Sequence, residues 1–230
     1  MLMRRRVFAL IPARGGSKGV HKKNLRLVKG HSLVERAILS AIGAVAVDMT
    51  YLSSDDDDIL NVGRSMGIAV YKRESRAADD AATADDVVLD FITRLPKVEL
   101  ENDPYIVYLQ PTSPFRTSVH IDNAFREMGE KKCTTCISVI SLTKSPYKSF
   151  ILTSDGLLKP MFGERFSSSN RQALPPAYYP NGAIYIFPIS EFTRRGTFPS
   201  EGSLPFVMDE NVSIDIDTEE DIAIAEKMPW

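Results

Sequence analysis

A segment near the N-terminus combines glycines with basic residues in a pattern suited to binding phosphate groups. Residues 13–19 have the sequence ARGGSKG, and KKN follows at residues 22–24. Glycines let backbone amides approach an anion closely, while Arg14 and Lys18 add positive charge. The spacing matches neither the Walker pattern nor G-x-G-x-x-G. The segment therefore predicts a triphosphate site, with an ordinary solvated loop as the alternative.

Two carboxylates near the C-terminus, Asp215 and Asp217, alternate with isoleucines in the sequence SIDIDT at residues 213–218. We expect a strand at residues 212–216, and in a strand such residues project from the same face. Neighbouring carboxylates repel each other unless a cation lies between them, so a hard divalent metal such as Mg²⁺ is the predicted ligand. A solvated strand edge ahead of an acidic helix start is the alternative.

Three further segments are rich in groups that could hold a ligand. LQPTSP at residues 109–114 is made rigid by its two prolines, and we expect the amide of Gln110 and the hydroxyls of Thr112 and Ser113 to face a ligand. A plain strand-to-helix turn is the alternative there. The sequences NRQ at 170–172 and PNGAIY at 180–185 carry donors and aromatic rings that suit a polar, carboxylated sugar.

Other residues that often perform chemistry are interpreted as structural. Cys133 and Cys136 have C-x-x-C spacing but no second Cys or His pair nearby, so we expect two free thiols. The acidic run at residues 55–58 precedes a helix, whose N-terminus favours negative charge. The three histidines have no partner at metal-ligand spacing, and the sequence supports no Ser-His-Asp or Cys-His arrangement.

Alternating apolar strands and amphipathic helices separate these segments. The predicted strands cover residues 7–12, 49–54, 68–71, 105–109, 135–141, 183–187 and 212–216. Predicted helices lie between them, and a last helix begins near Thr218. The alternation predicts an α/β fold with a mainly parallel, doubly wound (Rossmann-like) sheet covered on both faces. Residues 13–19 and 109–114 would then share the carboxyl edge of the sheet, where such folds bind ligands.

Length and charge narrow the class of protein. A chain of 230 residues with 43% hydrophobic content is predicted to form one domain, residues 1–230. The formal net charge of -2 gives no field suited to a nucleic acid or an anionic membrane. The apolar run after Arg6 is too short for a signal peptide, and no stretch could span a bilayer. We therefore expect a cytoplasmic protein.

The alternation of predicted strands and helices stops at residues 143–180, which are rich in Ser, Pro, Arg and aromatic residues. We interpret them as a lobe inserted into the domain. Such a lobe has little periodicity of its own and needs an external surface to bury Phe150, Phe162 and Phe166. A homodimer joined through this lobe is the prediction.

Taken in order, the segments IPARGGSKGVHKKN, LQPTSP, NRQALP, PNGAIYI and SIDIDT resemble the acylneuraminate cytidylyltransferases, also called CMP-sialic acid synthetases. The resemblance spans nearly the whole chain. The first motif is shared loosely across sugar nucleotidyltransferases, whereas its combination with PNGAIYI and SIDIDT is specific to enzymes that activate sialic-acid-like sugars. The resemblance implies transfer of CMP from CTP to the anomeric hydroxyl of a nonulosonic acid, release of pyrophosphate, Mg²⁺ as cofactor, and a homodimer whose inserted arm reaches the partner's active site.

The resemblance also assigns roles to individual residues. The implied nucleotide-binding residues are Arg14, Ser17, Lys18, Lys23, Asn24, Arg73 and Asp80. The implied sugar-binding residues are Gln110, Lys148, Arg171, Asn181, Tyr185 and Phe198. Asp215 and Asp217 would hold the metal, and the implied catalytic residues are Arg14, Lys18 and Asp217. In this scheme Lys18 offsets charge on the leaving pyrophosphate.

Two alternatives stay open. The first is the same chemistry on legionaminic acid or another nonulosonic acid. Several bacterial family members carry arginine where this chain has Tyr179, so a pocket facing Tyr179 is expected to tolerate deoxy analogues such as legionaminic acid. The alternative is that Tyr179 points away from the sugar and Arg171 alone holds the carboxylate. The second is a nucleotide-binding regulatory module without catalysis. Its mark would be loss of the loop lysine or the acidic pair, but both Lys18 and Asp217 are present.

Overall fold

The structure is a computed structural model, and it describes residues 5–17, 19–73 and 83–229. Its strands are β1 Val7–Pro12, β2 Leu27–Val28, β3 His31–Ser32, β4 Met49–Ser54, β5 Ala69–Lys72, β6 Tyr105–Tyr108, β7 Cys136–Ser141, β8 Phe150–Leu152, β9 Leu158–Pro160, β10 Tyr178–Pro188 and β11 Leu204–Val207. Its helices are α1 Leu33–Ile42, α2 Asp57–Ser65, α3 Ala84–Arg94, α4 Ser118–Lys131, α5 Glu164–Ser167, α6 Ile189–Arg195 and α7 Glu219–Lys227.

The central sheet has seven strands in the order β11-β7-β10-β6-β1-β4-β5. Neighbouring strands run parallel, except that β10 is antiparallel to both β6 and β7. This confirms the predicted α/β fold with a mainly parallel sheet. Because β10 runs in the opposite direction, its first half lies at the same edge as the carboxyl ends of β1 and β6. The sequence PNGAIY is thereby placed beside the segment that follows β6.

Strand β1 shows why the sheet must be covered on both faces. Val7, Ala9 and Ile11 pack into one hydrophobic cluster with helices α1 and α4. Phe8 and Leu10 pack into a second cluster on the opposite face, with helices α3 and α6. Burial of each large side chain contributes about 2 kcal/mol, so both faces hold the strand in place. Because both faces of β1 are buried, its sequence is apolar at every position.

Local capping signals set the helix starts. The side chain of Ser32 accepts a hydrogen bond from the amide of Glu35, and Glu35 bonds back to the amide of Ser32. Thr218 and Asp221 form the same capping box at the start of α7. In the acidic run, Asp56 caps helix α2 by accepting from the amides of Asp58 and Ile59. These caps confirm the predicted starts of α1 and α7.

One prediction about the last third of the chain was wrong, and one strand was missed. Residues 212–216 form no strand, because their backbone pairs with no strand of the sheet; the Ile216 amide bonds to the carbonyl of Thr112 (2.9 Å) instead. The sheet instead gains β11, which the sequence analysis did not predict. This strand has four residues and contains Pro205, and it lies at the edge of the sheet, where proline is tolerated.

The chain leaves the sheet after β7 and returns before β10, and the Leu142 amide bonds to the Ala177 carbonyl (2.9 Å) at this junction. We call residues 142–177 the arm. It contains the separate β8–β9 hairpin and α5. Tyr147 packs against Phe162 and Phe166 within it. Its exposed large apolar residues are Phe150, Ile151, Leu152, Leu157, Leu158, Met161 and Phe162. Among the described residues, none of the helices combines the length and the apolar character needed to cross a bilayer.

Candidate active site

Two clefts adjoin each other at the edge of the sheet formed by the carboxyl ends of β1, β4 and β6. The first cleft has a volume of about 210 Å³, and its lining includes Arg14, Lys23, Asn24, Arg73, Tyr108 and Thr112. The second cleft has a volume of about 370 Å³, and its lining includes Tyr179, Asn181, Tyr185, Ser213 and Asp215. Gln110 lines both clefts. Segments predicted from three distant parts of the sequence therefore meet here.

The basic glycine-rich loop borders the first cleft and is held by its own backbone contacts. The buried side chain of Asn24 donates to the carbonyl of Arg14 (2.8 Å) and so closes the loop. At its base, the Ala13 amide bonds to the carbonyl of Ser53 (2.9 Å). A Cβ at Gly19 would overlap the backbone carbonyl oxygen of Asp217. A glycine is required there because the loop packs directly against the acidic segment.

Asp55 is a site residue that the sequence analysis interpreted only as helix-start charge. Its carboxylate accepts from the amide of Gly15 (2.9 Å) and lies 3.8 Å from the guanidinium of Arg73. The N-cap of α2 is Asp56, not Asp55. Asp55 therefore links the glycine-rich loop to Arg73. The signal that could have identified it is its position directly after β4, at the edge of the sheet that binds ligands.

Arg73 is the most constrained cation of the first cleft. It is 7% exposed, and desolvation lowers the pKa of its guanidinium, an effect that the Asp55 carboxylate opposes. In the described part of the chain, its Nε and Nη2 atoms have no hydrogen-bond partner. Buried donors are rarely left without acceptors, and a guanidinium presents its donors as a planar fork. This fork is suited to a pair of acceptors on a bound ligand.

The acidic segment lies between the loop and the second cleft. Lys23 Nζ bonds to Asp217 Oδ1 (2.9 Å), and Ile216 is fully buried between the two exposed carboxylates. Desolvation raises the pKa of Asp215, the hydroxyl of Thr112 opposes that shift, and the charge of Asp217 adds to it. Asp215 and Asp217 therefore lie close enough for their charges to interact, as expected, although no strand carries them.

This donor set fits a hard divalent cation. Mg²⁺ is commonly held by one or two carboxylates together with substrate phosphates, which complete its octahedral shell. Within the described residues, no group of three or more His, Cys, Asp or Glu could enclose a metal. The pair Asp215 and Asp217 thus suits a cation shared with a phosphorylated ligand. Cys133 and Cys136 are both free thiols.

Aromatic rings support the second cleft from behind. The ring of Phe198 packs on Tyr108 and Tyr185, with centroid distances of 4.9 and 5.3 Å. Phe198 therefore supports Tyr185 and does not line the cleft. Burial raises the pKa of Tyr185, and the charge of Asp215 raises it further, so its hydroxyl stays protonated at neutral pH. At Gly182, φ is +75° and a Cβ would lie 2.6 Å from Gln110 Oε1, so glycine is needed for this close approach.

Several predicted site residues are placed elsewhere or differently. Ser113 is 1% exposed, so its hydroxyl does not face a ligand as expected, whereas Thr112 does line the first cleft. Lys148 and Arg171 lie exposed on the arm and line neither cleft. Ser17 belongs to the glycine-rich loop. The predictions for Lys18 and Asp80 fall outside the described residues.

Comparisons with known proteins give consistent matches. The sequence model of the family described as Cytidylyltransferase matches residues 8–154. The N-acylneuraminate cytidylyltransferase of Streptococcus agalactiae serotype V is 31% identical over 214 residues, which cover 92% of this chain and 50% of that protein. The CMP-N,N'-diacetyllegionaminic acid synthase of Legionella pneumophila is 32% identical over 227 residues, which cover 97% and 96%. The chain thus spans about half the length of the streptococcal relative and nearly all of the Legionella relative.

A solved structure extends the comparison to the fold. CMP:2-keto-3-deoxy-manno-octonic acid synthetase, in complex with CTP, matches with a TM-score of 0.69, and the match covers 96% of this chain and 97% of that one. The identity is only 12%, so the match shows a shared fold and nothing finer.

Proposed function

The chain belongs to the cytidylyltransferase family, and from this premise we propose that it transfers CMP from CTP to the anomeric hydroxyl of a sialic-acid-like nonulosonic acid, with release of pyrophosphate. The observation that carries the proposal is the meeting of the two clefts at Gln110, with Asp215 in the lining of the second cleft and Asp217 bonded to Lys23 of the first. CTP would occupy the first cleft, and the sugar would occupy the second.

The two Arg73 donors that have no hydrogen-bond partner among the described residues favour a cytosine base. Cytosine offers two adjacent acceptors, N3 and the O2 carbonyl oxygen, which match the Nε and Nη2 donors of Arg73. Uracil carries a proton on N3 and would set donor against donor. A buried donor facing another donor is costly, so this geometry supports discrimination between CTP and UTP.

The phosphates would lie along the basic loop. Arg14 and Lys23 line the first cleft, and Ser17 and Lys18 follow in the same loop. We propose that Lys18 offsets the charge of the leaving pyrophosphate, as the sequence resemblance implies. Asn24 keeps the loop closed through the Arg14 carbonyl. Its role is then to shape the loop.

Asp215 and Asp217 are the residues that would hold Mg²⁺. When bound, the cation would polarise the α-phosphate and neutralise its developing charge. Lys23 contacts Asp217 directly and would orient this carboxylate. Asp215 lines the second cleft and Asp217 is bonded to a lysine of the first, so both would face the reacting phosphate.

The reaction is an in-line displacement at the α-phosphorus. The anomeric hydroxyl oxygen of the sugar forms the new bond to phosphorus, the bond to the bridging oxygen breaks, and pyrophosphate departs with that electron pair. The hydroxyl proton passes to water, and no side chain is required as a general base. Gln110, which faces both clefts, is placed to orient the attacking group. Catalysis rests mainly on positioning and charge neutralisation.

Recognition of the sugar carboxylate needs a cation that the second cleft lacks. Among the described residues that line this cleft, none is basic. Lys148 and Arg171 lie on the arm, which also exposes Phe150 (49%), Leu152 (70%) and Leu158 (69%). We propose that the arm buries this apolar surface in a homodimer and that its cations complete the second cleft of the partner.

A second candidate is the same reaction on legionaminic acid. Tyr179 lines the second cleft, where it offers one hydroxyl and an aromatic face. The Legionella relative also matches along nearly its whole length. Both observations favour a sugar with fewer polar groups than N-acetylneuraminic acid.

The direct test is release of pyrophosphate from CTP. The assay would contain Mg²⁺ and, in separate reactions, N-acetylneuraminic acid, legionaminic acid, 2-keto-3-deoxyoctonic acid or no acceptor. We expect turnover with a nine-carbon acid and formation of its CMP conjugate, with UTP as a poor substrate. Turnover with the eight-carbon acid alone would contradict the proposed substrate class, and absence of turnover with every acid would contradict the activity.

A further inference from the structure

Asn181, expected from the sequence to contact the sugar, has its side chain bonded entirely within the protein. Its Oδ1 accepts from the hydroxyl of Ser138 (2.6 Å) and from the amide of Ala183 (3.2 Å). Its Nδ2 donates to the hydroxyl of Ser213 (2.9 Å) and to the sulfur of Met208 (3.4 Å). A primary amide has two donor hydrogens and two acceptor lone pairs. All four are therefore used, and only 6% of the residue is exposed.

These bonds join three separate parts of the chain. Ser138 is fully buried on β7 and also accepts from the amide of Ile184 on β10 (2.7 Å). On the other side, Ser213 donates to the backbone carbonyl of Asp209 (2.7 Å). The Asn181 side chain thus ties the two antiparallel strands to residues 209–217, which carry both carboxylates.

Residues 209–217 need such an attachment because they belong to no strand. Their backbone is held by short turns within residues 209–213 and by the bond from the Ile216 amide to the Thr112 carbonyl (2.9 Å). Ile216 adds a buried apolar anchor beside them. Asn181 holds the segment at Ser213, two residues before Asp215, and Ile216 holds it between the two carboxylates.

We propose that Asn181 is a positioning residue, which fixes residues 209–217 so that Asp215 lines the second cleft and Asp217 lies beside Lys23 of the first. The proposal rests on the proposed function for its catalytic consequence. It reassigns Asn181 from sugar contact to support of the acidic pair. Groups that orient a metal ligand typically contribute about 10–100-fold to metal affinity or activity.

Hydrogen–deuterium exchange tests the structural part without any substrate. In Asn181→Ala, we expect peptides covering residues 209–217 to exchange faster, because one end of the segment loses its attachment. Ser138→Ala should produce the same change to a smaller extent. Ser203→Ala is the matched control: it removes a hydroxyl that bonds to Thr135 (2.8 Å) at the other end of β7, and it should leave residues 209–217 unchanged.

Kinetics test the functional part. For Asn181→Ala we expect the half-saturating Mg²⁺ concentration to rise about tenfold and kcat to fall by a similar factor. The KM for the sugar should change less than about twofold, because no donor or acceptor of Asn181 is available to it. Ser138→Ala should shift the Mg²⁺ dependence in the same direction, although a fully buried side chain cannot contact a substrate.

The two proposals fail in distinguishable ways. Unchanged exchange of residues 209–217 in Asn181→Ala would overturn the positioning role whether or not the protein turns over CTP. A sugar KM raised about tenfold with unchanged Mg²⁺ dependence would also overturn it, in favour of a direct sugar contact. If residues 209–217 exchange faster in Asn181→Ala than in the wild type, and the wild type shows no turnover, the structural role stands and the proposed activity is rejected.

Discussion

The two clefts differ in the charged residues that line them. The first cleft, at the carboxyl ends of β1 and β6, has a basic lining that neighbouring side chains hold in place: Asn24 closes the glycine-rich loop, and Asp55 contacts both Gly15 and Arg73. The second cleft has an exposed Tyr179 and no basic residue in its described lining. We therefore propose that nucleotide recognition is preorganised within one chain, whereas sugar recognition depends on the arm.

The largest effect on turnover should come from the acidic pair, Asp215 and Asp217. CTP turnover is expected to need a divalent cation, and Asp217→Asn should reduce kcat by at least about 100-fold, because the amide cannot neutralise a metal. Because the Asp217 side chain is 70% exposed, its pair with Lys23 contributes little to folding, and the melting temperature should change little. Glu220→Gln, on the first turn of α7, is the control with a similar charge change. Near-wild-type turnover of Asp217→Asn would remove this residue from the metal site.

A somewhat smaller effect is expected at Arg73, where a substitution should impair the use of CTP but not the binding of the sugar. Arg73→Gln removes the fork of donors, and we expect kcat/KM for CTP to fall about 30-fold while that for UTP changes less. The KM for the sugar should stay the same. Arg64→Gln is the control, because Arg64 lies on the surface of α2, where its guanidinium bonds to Asn61. An unchanged ratio of CTP to UTP efficiency would show that Arg73 does not select the base.

The arm offers the converse experiment. Leu152→Glu places a charge on its exposed apolar surface and should shift the protein from dimer to monomer, as measured by sedimentation. The efficiency with the sugar should fall about tenfold, while the KM for CTP changes little, because the first cleft belongs to one chain. Val45→Glu, at an apolar residue that is 93% exposed away from the arm, is the matched control. A fully active monomer would contradict completion of the second cleft by a partner.

The smallest expected effect concerns the choice of sugar. Tyr179→Arg should raise kcat/KM for N-acetylneuraminic acid relative to legionaminic acid by about three- to tenfold, because a guanidinium adds forked donors where tyrosine has one hydroxyl. The ratio of the two efficiencies is the quantity to measure. A strong wild-type preference for N-acetylneuraminic acid that the substitution leaves unchanged would exclude Tyr179 from sugar selection.

Parts of the chain with strong local signals were predictable to the residue. Strands β1 and β4 begin and end where the sequence predicts, because both faces are buried and polar or turn residues bound them. The rule that parallel sheets bind ligands at their carboxyl edge brought Arg14 and Gln110 to the site. The exposure of Asp215 and Asp217 also follows from the sequence, although the strand proposed to carry them does not exist, and their role as metal ligands stays a prediction. Alternation with the buried Ile216 was sufficient to place both carboxylates on the open side.

Hydrogen bonds between distant residues account for what the sequence did not determine. Composition and periodicity established an α/β sheet, its ligand-binding edge and the residue types gathered there, since these depend on local burial patterns. Whether a polar side chain is available to a ligand depends on its neighbours in space. Asn181 has four partners from β7, β10 and residues 208–213, whereas two buried donors of Arg73 have no hydrogen-bond partner in the described part of the chain. Only the tertiary structure decides between these states, because satisfying a buried donor or acceptor requires groups that lie far apart in the chain.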